Sequence, residues 1–215
     1  MAELDRDRIL ALSYVPAARR AAVEALWRLD AALGAALAGG REPLIAQIKL
    51  AWWREALERL DSAPAPAEPV LQAVAAHVLP AGVTGAELAR MEEGWSLLLS
   101  PDPLTREELD RYAEARGGLL FRHTASLLGF TGAVPAGGAA WALVDLARHA
   151  GDAAEADAAV DGARASGMGA PWPFRLRPLG MLAALALRDS GGPRWEQQGA
   201  PARMLRMLRH RLTGL

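Results

Sequence analysis

Asp145, His149 and Asp152 stand at i, i+4 and i+7 in the sequence. On one continuous helix that spacing puts two carboxylates and an imidazole on a common face, where they could ligate a single borderline metal ion. The competing reading is a solvated face with local ion pairing, because no fourth ligand stands out. His77, His123 and His210 are scattered and form no HExxH pattern. Neither a GxSxG nucleophile elbow nor a GxxxxGK[ST] phosphate loop occurs. The chain lacks cysteine, which excludes disulfides and thiolate metal sites.

A second group of residues lies in IAQIKLAWWREAL, 45–57. On a helix, Ile45, Ile48, Trp52 and Ala56 fall on one apolar face, widened by Trp53 and Leu60. Lys49 falls on that face too. A cation there requires a carboxylate, a bound anion or a route to water. One reading is a snorkelling or ion-paired lysine laid along Trp53, with a cation–π contribution of ~1 kcal/mol. The other is a cation facing a bundle cavity lined by Lys49, Trp52, Trp53 and Tyr112. A third group ends the chain. Met204, Leu205, Leu208, Leu212 and Leu215 share one helical face, opposite Arg203, Arg206, Arg209 and His210. That pattern suits an anionic membrane or an acidic partner, and equally an edge helix packed by its leucines with a basic exterior.

Helices must position these residues. Alanine, leucine and arginine dominate and β-branched residues are sparse. Helices are predicted at 4–13, from Pro16 to Gly39-Gly40, from Pro43 to about Asp61, and at 69–79 and 84–99. Another begins at the Thr105/Glu108 capping-box pattern and runs to about Leu128. Further helices are predicted at 139–150, 174–189 and 201–213, with 151–171 weaker. Gly117-Gly118 falls inside a helix, which signals close helix packing or a kink. Eight or so helices and no strand signal predict one all-α bundle over residues 1–215. Of the 215 residues, 52 % are hydrophobic and 23 % charged, as in a globular chain with a full core. A net charge of −1 gives no global drive toward nucleic acid or membrane, so any anion-binding surface must be local. The acidic N-terminus and the absence of a spanning apolar run predict a cytoplasmic protein, peripheral to the inner membrane at most.

The segment EPLIAQIKLAWWREAL, 42–57, resembles the corresponding stretch of the squalene/phytoene synthase family. PAARRAAVEALWRLDAAL (16–33), YAEARGGLL (112–120), AWALVDLARHA (140–150) and ARMLRMLRHRLTGL (202–215) extend the resemblance over most of the chain. It is closest to a bacterial subgroup similar to the mitochondrial complex I assembly factor related to phytoene synthase. The resemblance implies an all-α isoprenoid-synthase fold. It also implies an activity that joins two prenyl diphosphates, with Mg²⁺ held between two aspartate-rich helices. Here Gly34, Ala35 and Ala38 occupy the positions expected to carry the first set of acids, with Asp30 nearby. Of the second pair only Asp145 remains, and His149 replaces its partner. Two readings follow. The leading one is a non-catalytic protein without cofactor, binding a lipid or prenyl ligand or assisting assembly, with complex I as the implied context. In this reading Arg203, Arg206 and Arg209 are the surface offered to a partner or membrane. The alternative is a prenyltransferase using Asp30, Asp145 and Asp152 to hold Mg²⁺.

Overall fold

The computed structural model describes residues 3–37, 43–167, 169, 171–192 and 195–215. Among them there is no strand. Helix α1 (Arg6–Ser13) starts at Asp5, whose side chain accepts from the Arg8 amide. After Pro16 comes the long α2 (Ala17–Leu37), then α3 (Pro43–Arg59). α4 (Pro69–His77) is capped by Glu68 and opens on proline, as a proline-broken loop followed by a helix predicts.

The span 84–99 holds two short helices, α5 (Gly85–Ala89) and α6 (Glu92–Leu97). α7 (Arg106–Tyr112) begins with the reciprocal Thr105/Glu108 capping box read from the sequence. It passes into a π-helical stretch, Ala113–Gly118, before α8 (Leu119–Leu127). α9 (Gly138–His149) and α11 (Arg177–Ser190) match expectation, as does α12 (Pro201–Thr213). The weakly predicted 151–171 contains a full helix, α10 (Ala153–Ala165), capped by Asp152. Its small Ala159, Gly162 and Ala163 are buried, and Gly162 accommodates Leu143 of α9. Weak side-chain patterning here reflects tight packing by small residues.

Buried apolar side chains from Leu4 to Met207 form one continuous core. Trp27 of α2 is fully buried within it, and its indole N–H donates to Thr124 Oγ1 of α8 at 2.9 Å. Gly117 and Gly138 allow the π-helical stretch and the start of α9 to touch. A Cβ on either would fall far inside contact distance of the other's carbonyl oxygen. The glycine pair read from the sequence as a packing mark is therefore one, with Gly117 as the member that matters.

Two helices are rotated relative to expectation. In α3 the buried stripe is Ala46, Leu50, Trp53, Ala56, Leu57 and Leu60. Ile45, Ile48 and Trp52 are exposed, and so is Lys49. The buried stripe shares Trp53, Ala56 and, just past the helix end, Leu60 with the expected face but is turned from it by roughly 90°, and the bundle buries the side with three leucines. In α12, Arg203, Met207 and His210 face inward, while Leu205 and Leu212 face out, as does Leu215 just beyond the helix. Among the described residues no helix is long and apolar enough to cross a membrane.

Candidate functional site

Asp30 of α2 is fully buried in a helix that is otherwise apolar at this depth. A carboxylate there must be paired. Two guanidiniums meet it. Arg8 of α1 donates from Nη1 to Asp30 Oδ2 at 2.9 Å, and Arg116 donates from Nε to Asp30 Oδ1 at 3.1 Å. Arg116 also reaches Asp145 of α9, Nη1 to Oδ2 at 2.7 Å, and donates to the Tyr112 hydroxyl at 2.6 Å. One side chain thus bridges the carboxylates of two helices. The π-helical stretch supplies Arg116, four residues after Tyr112, so both aim into the same cluster. Asp5 closes the far side, accepting from Arg8 Nε at 2.6 Å.

Aromatic rings hold the guanidiniums in place. Arg116 lies 4.0 Å from the centre of the Trp95 ring and 4.9 Å from that of Trp141, and Arg8 lies 5.3 Å from Trp141. Such faces attract a cation once it is desolvated. Burial opposes the charge on Arg116, but Asp30, Tyr112 and Asp145 outweigh it and hold its pKa well above the ordinary value. Burial likewise opposes ionisation of Asp145, yet Arg116 and Arg8 keep its carboxyl below the usual range. Burial pushes the Tyr112 hydroxyl up to about 12, so it stays a neutral donor and acceptor.

Above this cluster opens a cavity of about 520 Å³. Its apolar wall includes Gly34, Ala35, Leu37, Trp95, Leu98 and Leu146, and its polar end holds Arg8, Arg116, Asp145 and His149. Gly34 makes room for the Trp95 ring, which an added Cβ would meet at 2.8 Å. A larger groove of about 870 Å³ runs between α3, α6 and α7, but it interleaves arginines with carboxylates and contains none of the residues singled out from the sequence.

Residues 1–159 match the family model for squalene/phytoene synthase. The chain belongs to the squalene/phytoene synthase family. No curated protein and no solved structure gives a match. The match spans α1 to α9 and part of α10, and with it the whole charge cluster. The all-α isoprenoid-synthase type of fold follows from membership together with the helical architecture.

Against the metal site associated with squalene/phytoene synthases, the donor set here does not fit. Mg²⁺ takes a near-octahedral shell of oxygen ligands. Both Asp30 oxygens already accept from guanidiniums, and Asp145 gives one of its own to Arg116. Gly34 and Ala35, at positions expected to carry acids, line the cavity with no oxygen ligand on their side chains. Ala38 lies outside the described residues. Among the described residues no group of three acids or histidines could hold a metal.

Asp30 and Asp145, grouped in the sequence only under the prenyltransferase alternative, meet through Arg116; the other groupings change. Asp145, His149 and Asp152 do not share a helix face. α9 ends at His149, Ala150 is extended, and Asp152 caps α10, its carboxylate turned to the Glu155 amide at 3.4 Å. Asp152 therefore joins neither the trio nor Asp30. His149 is largely exposed, with Nδ1 2.8 Å from the Asp145 carbonyl oxygen. Of the four side chains expected to line one cavity, only Tyr112 does so. Lys49 reaches solvent, Trp52 is exposed at a separate small pocket that Pro64 and Pro66 also line, and Trp53 packs in the core.

Arg203 is not on the surface offered by Arg206 and Arg209. It is buried, bonding Asp7 of α1 at 2.8 Å and pairing with Asp189 of α11. Sequence reasoning missed Arg8, Arg116, Trp95 and Trp141. The signal was Asp30, an acid on the apolar side of α2 beside Leu26 and Leu33, which demanded a cation from elsewhere.

Proposed function

We propose that this chain is a non-catalytic member of its family that binds a neutral prenyl-like or lipid-like ligand in the cavity between α2, α6 and α9. The observation that carries this reading is Arg116, which holds Asp30 and Asp145 together in the manner of a fixed internal cation. Two guanidiniums, Arg8 and Arg116, face three carboxylates, Asp5, Asp30 and Asp145. That balance leaves no positive charge for a diphosphate, whose own charge would be repelled. The apolar wall suits a hydrocarbon chain, and a cavity of about 520 Å³ is of ligand size. Trp95 lines it beside Leu98 and Leu146, adding aromatic surface for an apolar chain. A role in assembly of respiratory complex I is the context proposed from the resemblance, and rests on analogy.

Tryptophan fluorescence tests the reading. Farnesol or geranylgeraniol is expected to change the emission saturably and Trp95→Phe to reduce that change. Farnesyl and geranylgeranyl diphosphates with Mg²⁺ are expected to stay unconsumed. Mg²⁺-dependent turnover that disappears in Asp145→Asn would overturn the reading in favour of a prenyltransferase.

A further inference from the structure

α12 is packed by the face that carries charge and leaves its leucines outside. Arg203 is drawn inward by Asp7 and Asp189, and His210 is buried against Gly180 and Trp172. Because these contacts fix the rotation of the helix, Leu205 and Leu212 are left 70 % and 78 % exposed, and Leu215, just past the helix end at Gly214, is 63 % exposed. Such exposure along one helical stripe has no counterpart in an ordinary packed edge helix, which would bury it.

The borders of the stripe are basic. Arg206 and Arg209 flank one side and Arg211 the other, and none of the three makes an ion pair among the described residues. From Gln197 to Leu215 there is no Asp or Glu. At the Arg211 border two rings stand at the surface. Arg211 lies 4.3 Å from the Phe174 ring centre and 5.4 Å from that of Tyr14, and Phe174 is 65 % exposed.

We propose that α12 lies in the plane of an anionic lipid bilayer, with its leucines in the acyl boundary and Arg206, Arg209 and Arg211 paired with lipid phosphates. An exposed aliphatic stripe between guanidiniums matches a surface that is apolar below and negative at the headgroups. Aromatic rings at the border belong at headgroup depth. An acidic protein groove would answer the arginines, but the aliphatic stripe and ring border favour the bilayer. α12 residues do not line the cavity above Asp30 and Asp145, so the two proposals stand apart.

Co-sedimentation of the full chain with vesicles tests this. Phosphatidylcholine vesicles containing phosphatidylglycerol are expected to pellet the protein, and phosphatidylcholine alone far less. Added salt is expected to weaken the association. Arg209→Gln should weaken it about fivefold, the share of one guanidinium near an anionic surface. Leu205→Glu with Leu212→Glu should weaken it by about tenfold or more. Both leucines are exposed, so circular dichroism and the unfolding midpoint should remain as in the parent chain. Three results would overturn the proposal: no association with phosphatidylglycerol vesicles, association indifferent to these substitutions, or binding to a polyglutamate peptide without binding to the vesicles.

Discussion

Arg116 concentrates more of the site in one side chain than any other residue. It is nearly inaccessible, spans two helices and stacks on two tryptophans. Replacing it with methionine keeps much of the volume but leaves one oxygen of buried Asp30 unpaired, with Arg8 alone against its charge, and takes the guanidinium from Asp145. The expected loss is about 3–5 kcal/mol of stability in urea unfolding, as for other buried pairs broken from one side. Arg116→Lys should recover little of it, since an ammonium cannot serve two carboxylates and a ring face with a planar fork. Asp30 and Asp145 could be picked from the sequence because acids are scarce on these helices. Arg8 and Arg116 could not, because Lys49 is the one lysine among 24 basic residues and arginine is everywhere. Nothing in a local window separates an arginine that will be buried from one that will be solvated.

Helix boundaries and caps were largely legible, since they depend on short-range chemistry. The Thr105 capping box and the prolines at 43, 69 and 201 stand where the helices begin. Which face a helix buries was less legible where two faces are eligible. α3 offers two overlapping apolar stripes, and α12 offers leucines on one side and an arginine that finds buried acids on the other. The glycines of the π-helical stretch allow a sharp comparison. Gly117→Ala would drive a methyl into the Gly138 carbonyl of α9, a backbone obstacle, and is expected to cost about 1–3 kcal/mol. At Gly118 the added methyl meets the Glu114 side chain, which is exposed and able to move. Gly118→Ala is therefore expected to be neutral or stabilising by up to ~1 kcal/mol. Thermal melts of the two variants side by side distinguish the positions.

The molecule as a whole is tied by α1. Arg8 joins the cluster around Asp30, while the neighbouring Asp7 bonds Arg203 and the Gly199 amide at 2.9 Å. The first helix therefore links the core of the family match to α11 and α12, which follow it. Acid should expose a weak point in that arrangement. Burial leads the depression of the His210 pKa to about 4, and Arg206 and Arg177 push the same way. The folded value lies below the ordinary ~6.5, so the unfolded chain takes up the proton first. Stability from this group is complete above about pH 6.5 and falls as pH drops toward 4, by at most ~1.4 kcal/mol per pH unit. Asp145, with its lowered value, adds its own loss only at more acid pH. Urea unfolding at pH 7 and pH 5 should show the decline, and His210→Gln should shrink the difference between them.

Composition, prolines, caps and the tryptophan-bearing segment were enough to establish an all-α chain of the squalene/phytoene synthase family and to single out Asp30 and Asp145. These are properties of short windows, in which propensity, capping and periodicity act over a few residues. Three-dimensional packing set the rotation of α3 and α12, and it chose the arginines that neutralise the two acids. Both are decided by contacts between residues far apart in the chain: 86 positions separate Arg116 from Asp30, and 196 separate Arg203 from Asp7. A buried charge is stabilised by whichever partner the fold brings within bonding distance, and sequence spacing carries no record of that choice.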